Sequence, residues 1–312
     1  MKRKTWFWAL TPVAVALSLY GCGNGSDSDL AVDNNAQSCS VVSGTGSAVV
    51  VGSGLPGDPA APEAASGYRL GYKAKQSSNY MAVANTPLAT KAGCDVLKAG
   101  GTAVDAAVAV QAVLGLVEPQ SSTIAGSAFM MYYDAANKKV VAYDGRETAP
   151  AAATGYYLAR QDQSNASSPA PVPSARRSGR SIGVPGVMRM LDMAHKEHGK
   201  LAWAPLFDEG IRLASSGYKI PGRMGDAIRT NAANLQLDAN AVAAYFNADG
   251  TPKTTGTVTT NLPYAQSLRT LATGGADAMY SGPLAEAIVA KAAQSVGDDV
   301  AKTPITPSLM TV

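Results

Sequence analysis

Apolar positions recur at helical spacing over much of the chain after residue 80. Leu88, Ala92 and Val96 form one such series, and Ala89, Gly93 and Leu97 form another. Asn85-Thr86-Pro87 supplies a polar cap and a first-turn proline, and Gly100-Gly101 a stop, so a helix is predicted between them. Thr102, with Asp105 three residues on, caps a second helix, Ala103 to about Val117, ended by Glu118-Pro119. That helix is apolar on nearly every face but too short to span a membrane, and it reads as a core helix. Met81–Ala84 is a short apolar run consistent with a buried strand.

Beyond the loop 120–127 the period changes to that of a hairpin. Phe129–Tyr133 is one strand, Asp134–Lys138 the turn and Lys139–Tyr143 the return. Ala151–Arg160 is rich in Ala and Tyr, and 161–181 is a polar, Pro-rich stretch read as a disordered insertion. Gly183-Val184-Pro185-Gly186 is a tight turn. A helix follows with Val187, Met190, Leu191 and Ala194 inward and Gly199 at its end. Pro205 opens another, with Phe207, Ile211 and Ala214 inward and Gly217 closing it. Further helices are predicted over Gly222–Leu235, Tyr264–Thr273 and Leu284–Ser295.

The first 80 residues follow none of these periods. Lys2-Arg3-Lys4 precedes an uncharged, mostly apolar run, Thr5–Gly21, the pattern of an export signal. It ends in Leu19-Tyr20-Gly21-Cys22, which resembles a bacterial lipobox. That resemblance implies lipidation at Cys22 and, with Gly23 rather than Asp next, an outer-membrane lipoprotein in the periplasm or at the cell surface. Residues 23–79 are rich in Gly, Ser, Asn, Asp, Ala and Pro and read as a flexible tether. Gly52-Ser53-Gly54-Leu55-Pro56-Gly57 matches a dinucleotide fingerprint formally. Pro56, Pro59 and Pro62 break the helix that such a loop must open.

Charge excludes one class of partner. The 26 Lys and Arg exceed the 23 Asp and Glu by the three cations of the signal alone. There is no global basic excess to recruit nucleic acid. The one basic cluster, Arg176, Arg177 and Arg180, reads as part of a solvated linker. With Cys22 lipidated, Cys39 and Cys94 remain; they form a disulfide, or Cys94 is a small buried hydrophobe. His195, Glu197 and His198 stand at metal-compatible spacing, but their place at a polar helix end favours a helix-terminus role over a metal site. Asn165-Ala166-Ser167 marks a surface loop.

Asp144-Gly145-Arg146-Glu147-Thr148-Ala149-Pro150 follows the return strand. Charged residues there fit either a site or an exposed salt-bridged turn. The order of motifs is informative: Asn85-Thr86-Pro87-Leu88-Ala89; Leu97-Lys98-Ala99-Gly100-Gly101-Thr102-Ala103-Val104-Asp105; Val117-Glu118-Pro119; the 144–150 segment; Gly183-Val184-Pro185-Gly186; Ala214-Ser215-Ser216-Gly217-Tyr218; and Gly275-Ala276-Asp277-Ala278-Met279-Tyr280. This series resembles the N-terminal, large-subunit portion of the gamma-glutamyltransferase family, from about residue 80 to 312.

The resemblance implies an α+β fold, part of an N-terminal-nucleophile hydrolase αββα sandwich, mostly helical here and incomplete without a C-terminal half. It implies a threonine that attacks the γ-glutamyl amide of glutathione and passes the glutamyl group to water, an amino acid or a peptide. No metal or cofactor is implied. Arg146 would bind the donor α-carboxylate through paired hydrogen bonds, and Glu147 would hold Arg146 or a neighbouring loop. The family's Thr-Thr-His nucleophile motif has no counterpart: Thr254-Thr255 and Thr259-Thr260 lack the His. The chain therefore reads as a truncated or split enzyme without a catalytic residue of its own, needing a small-subunit half and inactive alone. The alternatives are a non-catalytic surface lipoprotein that binds through the same scaffold and a cephalosporin-acylase-like amidohydrolase. The run Ile124-Ala125-Gly126-Ser127-Ala128-Phe129 carries side chains where the family has glycines. Without a partner, sheet edges and an apolar face, including helix 103–117, are expected to stand open.

Overall fold

The computed structural model describes residues 77–171, 174–175 and 178–294. The signal segment, Cys22, Cys39, the 52–57 glycine run, Arg176 and Arg177 lie outside the described residues. Two helices open the described part, α1 (Pro87–Lys98) and α2 (Ala103–Val117). Thr86 caps α1 by accepting the Ala89 N–H. Thr102 and Asp105 form a reciprocal capping box on α2, so both starts rest on the residues that predicted them.

A hairpin follows, β1 (Ala128–Asp134) and β2 (Lys139–Gly145), paired from Ala128 opposite Gly145 to Asp134 opposite Lys139. Then come α3 (Val187–His198), a 3-10 turn at Ala204–Phe207, α4 (Asp208–Ser216), β3 (Tyr218–Lys219), α5 (Gly222–Thr230), α6 (Ala232–Leu235) and α7 (Ala239–Tyr245). The series ends with β4 (Val258–Thr259), α8 (Leu262–Gly274) and α9 (Pro283–Ala292). β3 and β4 form a second two-stranded ribbon.

Helix α2 organises the interior. Val104, Val108 and Ala112 face a cluster with Met190, Leu191, Phe207, Leu268 and Leu271. Ala109, Val113, Leu116 and Val117 face a second cluster with Ala89, Ala92, Leu213, Met224 and Ile228. This two-sided burial explains the helix's near-uniform apolarity. It also corrects the expectation that α2 is left open.

The open apolar face lies on the hairpin. Phe129, Met131 and Tyr133 are 67%, 70% and 60% exposed, while the alternating residues Met130 and Tyr132 pack on the core. Neither hairpin strand pairs with a third among the described residues.

Asp105 ties α2 to the distant 199–201 turn. Its fully buried carboxylate accepts the N–H groups of Thr102 (2.8 Å), Lys200 (3.0 Å) and Leu201 (3.2 Å). The His195 ring nitrogen lies 3.3 Å from it and 3.0 Å from the Leu201 carbonyl. His198 instead stacks on Tyr132 with ring centroids 4.0 Å apart. Glu197 accepts the Tyr143 hydroxyl at 2.6 Å. The three residues 195, 197 and 198 therefore dock the end of α3 onto other elements, each with its own partner.

Three local readings are corrected. Met81–Ala84 is not a strand: Val83 is 81% exposed, and the Ala84 N–H goes to the Thr90 hydroxyl at 3.0 Å rather than to a neighbouring strand. Arg180 is not a solvated linker residue but 5% exposed. Its guanidinium donates to the carbonyls of Tyr157 (2.7 Å), Arg160 (2.7 Å) and Gln161 (3.1 Å) and covers the Tyr157 ring. Three carbonyl oxygens and a ring face replace the water that a buried cation loses. The helix predicted over 222–235 is two helices, interrupted at Asn231. Cys94 is buried on α1.

Candidate functional site

Arg146 stands one residue beyond β2, at the open end of the hairpin. The Asp144 carboxylate accepts the Arg146 N–H at 2.9 Å, a local turn that directs the chain out of the strand. The Arg146 guanidinium donates to Glu147 at 2.6 Å and keeps a side chain 54% exposed. One edge of the fork is thereby held by an acid while more than half of the side chain stays exposed.

The loop carrying this pair is clamped from behind by the turn 183–186. Thr148 and Val184 exchange both backbone hydrogen bonds, Val184 N–H to Thr148 O at 2.8 Å and the reverse at 3.4 Å. The N–H groups of Gly186 and Val187 both reach the Gly126 carbonyl, at 3.0 and 3.1 Å. A Cβ on Gly186 would fall 2.3 Å from the Gly145 oxygen and 2.6 Å from that of Arg146. One on Gly183 would fall 2.5 Å from the Glu147 side chain. Only glycine permits these approaches.

A third segment braces the turn. The Tyr280 hydroxyl donates to the Pro185 carbonyl at 2.6 Å. Arg189 covers the Tyr280 ring and pairs with Asp277 at 2.6 Å. Segments near residues 126, 146, 184 and 280 thus meet at one place.

Glu147 is held below its ordinary carboxylate value. The Ser127 hydroxyl donating to its carboxylate is the main cause, its own backbone N–H adds to this, and the Arg146 charge contributes less. Asp144 was part of the charged segment read from sequence as a site or a turn, without a role of its own, and Ser127 was given none. An Asp two residues before the arginine is a readable turn signal; Ser127 is distant in sequence from Glu147 and carries no such local signal. Cys22 lies outside the described residues.

The arrangement is suited to gripping a carboxylate: an outward guanidinium, pre-oriented by a neighbouring acid, on a loop fixed by backbone contacts. Comparison with known proteins places the fold and the family. The chain has the α+β fold of the N-terminal-nucleophile hydrolases of this kind. It aligns with the crystal structure of Helicobacter pylori gamma-glutamyltranspeptidase at a TM-score of 0.65 and 27% identity, covering 74% of this chain and 66% of that one. The gamma-glutamyltranspeptidase family profile matches residues 89–302, and the chain belongs to that family. It is 36% identical over 215 residues to glutathione hydrolase 3 of Arabidopsis thaliana, covering 69% of this chain and 32% of that protein. It is 34% identical over 205 residues to the glutathione hydrolase proenzyme of Bacillus subtilis (strain 168), covering 65% and 33% respectively. The chain thus spans about a third of the length of these curated relatives.

Proposed function

We propose that this chain is the large-subunit portion of a γ-glutamyl-transferring enzyme that takes glutathione or a related γ-glutamyl amide as donor. Water, an amino acid or a peptide is the acceptor. The observation that carries the reading is the outward, acid-braced guanidinium of Arg146 in a chain of this family. In this reading Arg146 grips the α-carboxylate of the donor glutamyl group.

The attacking threonine comes from a second, small-subunit half that docks on this chain. The exposed stripe Phe129, Met131 and Tyr133 supports such a partner, because an alternating apolar strand face of this size is normally covered. Lipidation at Cys22 would tether the assembly to the outer membrane, facing the periplasm or exterior. Among the described residues no helix is long and apolar enough to cross a membrane.

Incubation with a γ-glutamyl anilide tests the reading. The full chain alone is expected to release no amine, and release is expected on adding a half that bears Thr-Thr-His. Release by the chain alone, or none from the assembled pair, would overturn it.

A further inference from the structure

The 183–186 turn that clamps the Arg146 loop is itself held by one distant residue. Pro185 is buried, so its carbonyl needs a donor from the protein. The Tyr280 hydroxyl supplies it at 2.6 Å. Burial raises the protonation point of Tyr280 above the ordinary 10, so the hydroxyl keeps its proton to donate. Gly186, the next residue, lies so close to the Gly145 and Arg146 carbonyls that a Cβ there would fall 2.3 and 2.6 Å from them. Its N–H and that of Val187 reach the Gly126 carbonyl. The Tyr280 ring has a fixed place as well. Helix α3 starts at Val187, immediately after the turn, and its first turn carries Arg189. Arg189 lies over the Tyr280 ring at 4.7 Å and pairs at 2.6 Å with Asp277, whose carbonyl accepts the Tyr280 N–H at 2.9 Å. Turn, helix start and the 277–280 segment form a closed ring of contacts set against the Arg146 backbone.

We infer that Tyr280 is a positioning residue for donor binding: its hydroxyl seats Pro185, so that Gly186 holds the Arg146 backbone in the geometry that grips the donor. The inference rests on the proposed donor role of Arg146. The Arg146 side chain is more than half exposed and pairs with the adjacent Glu147, and an exposed pair of this kind restrains little by itself. The backbone beneath it therefore sets the aim of the guanidinium. A guanidinium grips a carboxylate through two parallel bonds and tolerates misplacement poorly. Without the Tyr280 bond the Pro185 carbonyl is buried and unpaired, and the turn gains by moving off the loop toward another donor. Apparent donor affinity then falls with the fraction of molecules in which the loop is seated. Tyr280 acts on the loop and not on the reacting atoms, so the turnover number stays as it is.

The test uses the assembled enzyme, this chain with a half that bears Thr-Thr-His, and a γ-glutamyl anilide as donor. Wild type, Tyr280→Phe, Tyr264→Phe and Arg146→Ala are compared. Tyr264→Phe is the control, because the Tyr264 hydroxyl also donates to a backbone carbonyl, that of Ala112 on α2, at 2.9 Å. Tyr280→Phe keeps the ring under Arg189 and is expected to raise donor KM about 2- to 10-fold, the range for one lost hydrogen bond, with kcat unchanged. Tyr264→Phe is expected to lower the urea midpoint of the chain and leave donor KM as in wild type. An unchanged KM in Tyr280→Phe, or an equal rise in the two phenylalanine variants, with KM raised in Arg146→Ala, would overturn the role of Tyr280 and leave the donor reading standing. An unchanged KM in Arg146→Ala would overturn the donor reading itself and the inference with it.

Discussion

The Arg146 guanidinium donates to the Glu147 carboxylate at 2.6 Å while more than half of the Arg146 side chain stays exposed. A lysine in its place would carry the charge but not the planar fork. Arg146→Lys is therefore expected to weaken donor binding about tenfold or more, with little change in stability. Donor KM in the assembled enzyme and the urea midpoint of the chain check both parts. An unchanged KM would remove Arg146 from donor binding.

Gly186 abuts the carbonyls of Gly145 and Arg146 more closely than any side chain allows. Gly186→Ala should force the 183–186 turn off the loop. The expected cost is about 1–3 kcal/mol, with weaker L-glutamate binding. Denaturant unfolding and calorimetry on the same protein test it; an alanine tolerated in both would mean the clamp is loose.

Asp105 should be among the costliest single positions. Its carboxylate is buried and accepts three backbone N–H groups from two segments. Asp105→Ala strands those donors and is expected to cost about 3 kcal/mol. Lys91→Ala breaks the exposed pair with Asp95 and should cost about 0.5 kcal/mol or less. Equal losses in the two variants would contradict this ranking.

Asp238 caps α7 and pairs with Lys291 on α9. The Lys291 bond first, and the Ala241 N–H after it, hold its carboxyl below the ordinary 3.8. A folded value lower than the unfolded one means that the group stabilises the fold above about pH 4 and ceases to as pH falls through the folded value. Wild type should thus lose stability in that acid window, and Lys291→Ala should show a shallower loss. Urea midpoints at pH 7, 5 and 3 give the comparison; parallel curves would argue against the pair.

The stripe on β1 predicts association. Replacing Phe129, Met131 and Tyr133 together by threonine should raise the monomer fraction of the isolated chain, at a stability cost of about 1 kcal/mol or less, because none of the three is buried. Analytical ultracentrifugation reads the first and denaturant unfolding the second. A triple variant that aggregates as wild type does would place the sticky surface elsewhere.

Local chemistry made much of the fold legible. Thr86, Pro87 and the glycines at 100–101 bound α1, and Thr102 with Asp105 starts α2, because a cap acts within four residues. The hairpin was readable from its two-residue period and its turn, and each strand extends one or two residues past the predicted ends. The short ribbon of β3 and β4 and helix α7 escaped notice. Their segments are too brief for periodicity to register.

At the site, sequence by itself determined which residues carry the charge: Arg146 and Glu147, adjacent and just past a strand. Only the tertiary structure decided how they are held. Ala128 meets Gly145, the residue before Arg146, through strand register. Gly183 and Gly186 close in from a separate turn, and Tyr280 braces that turn from 95 residues away. The same is true of α2, whose apolarity was plain but whose two buried faces needed the surrounding helices, and of Arg180, whose partners are backbone carbonyls of another segment. Spacing encodes what a residue meets within a turn or a strand; what it meets across the core depends on how the elements pack.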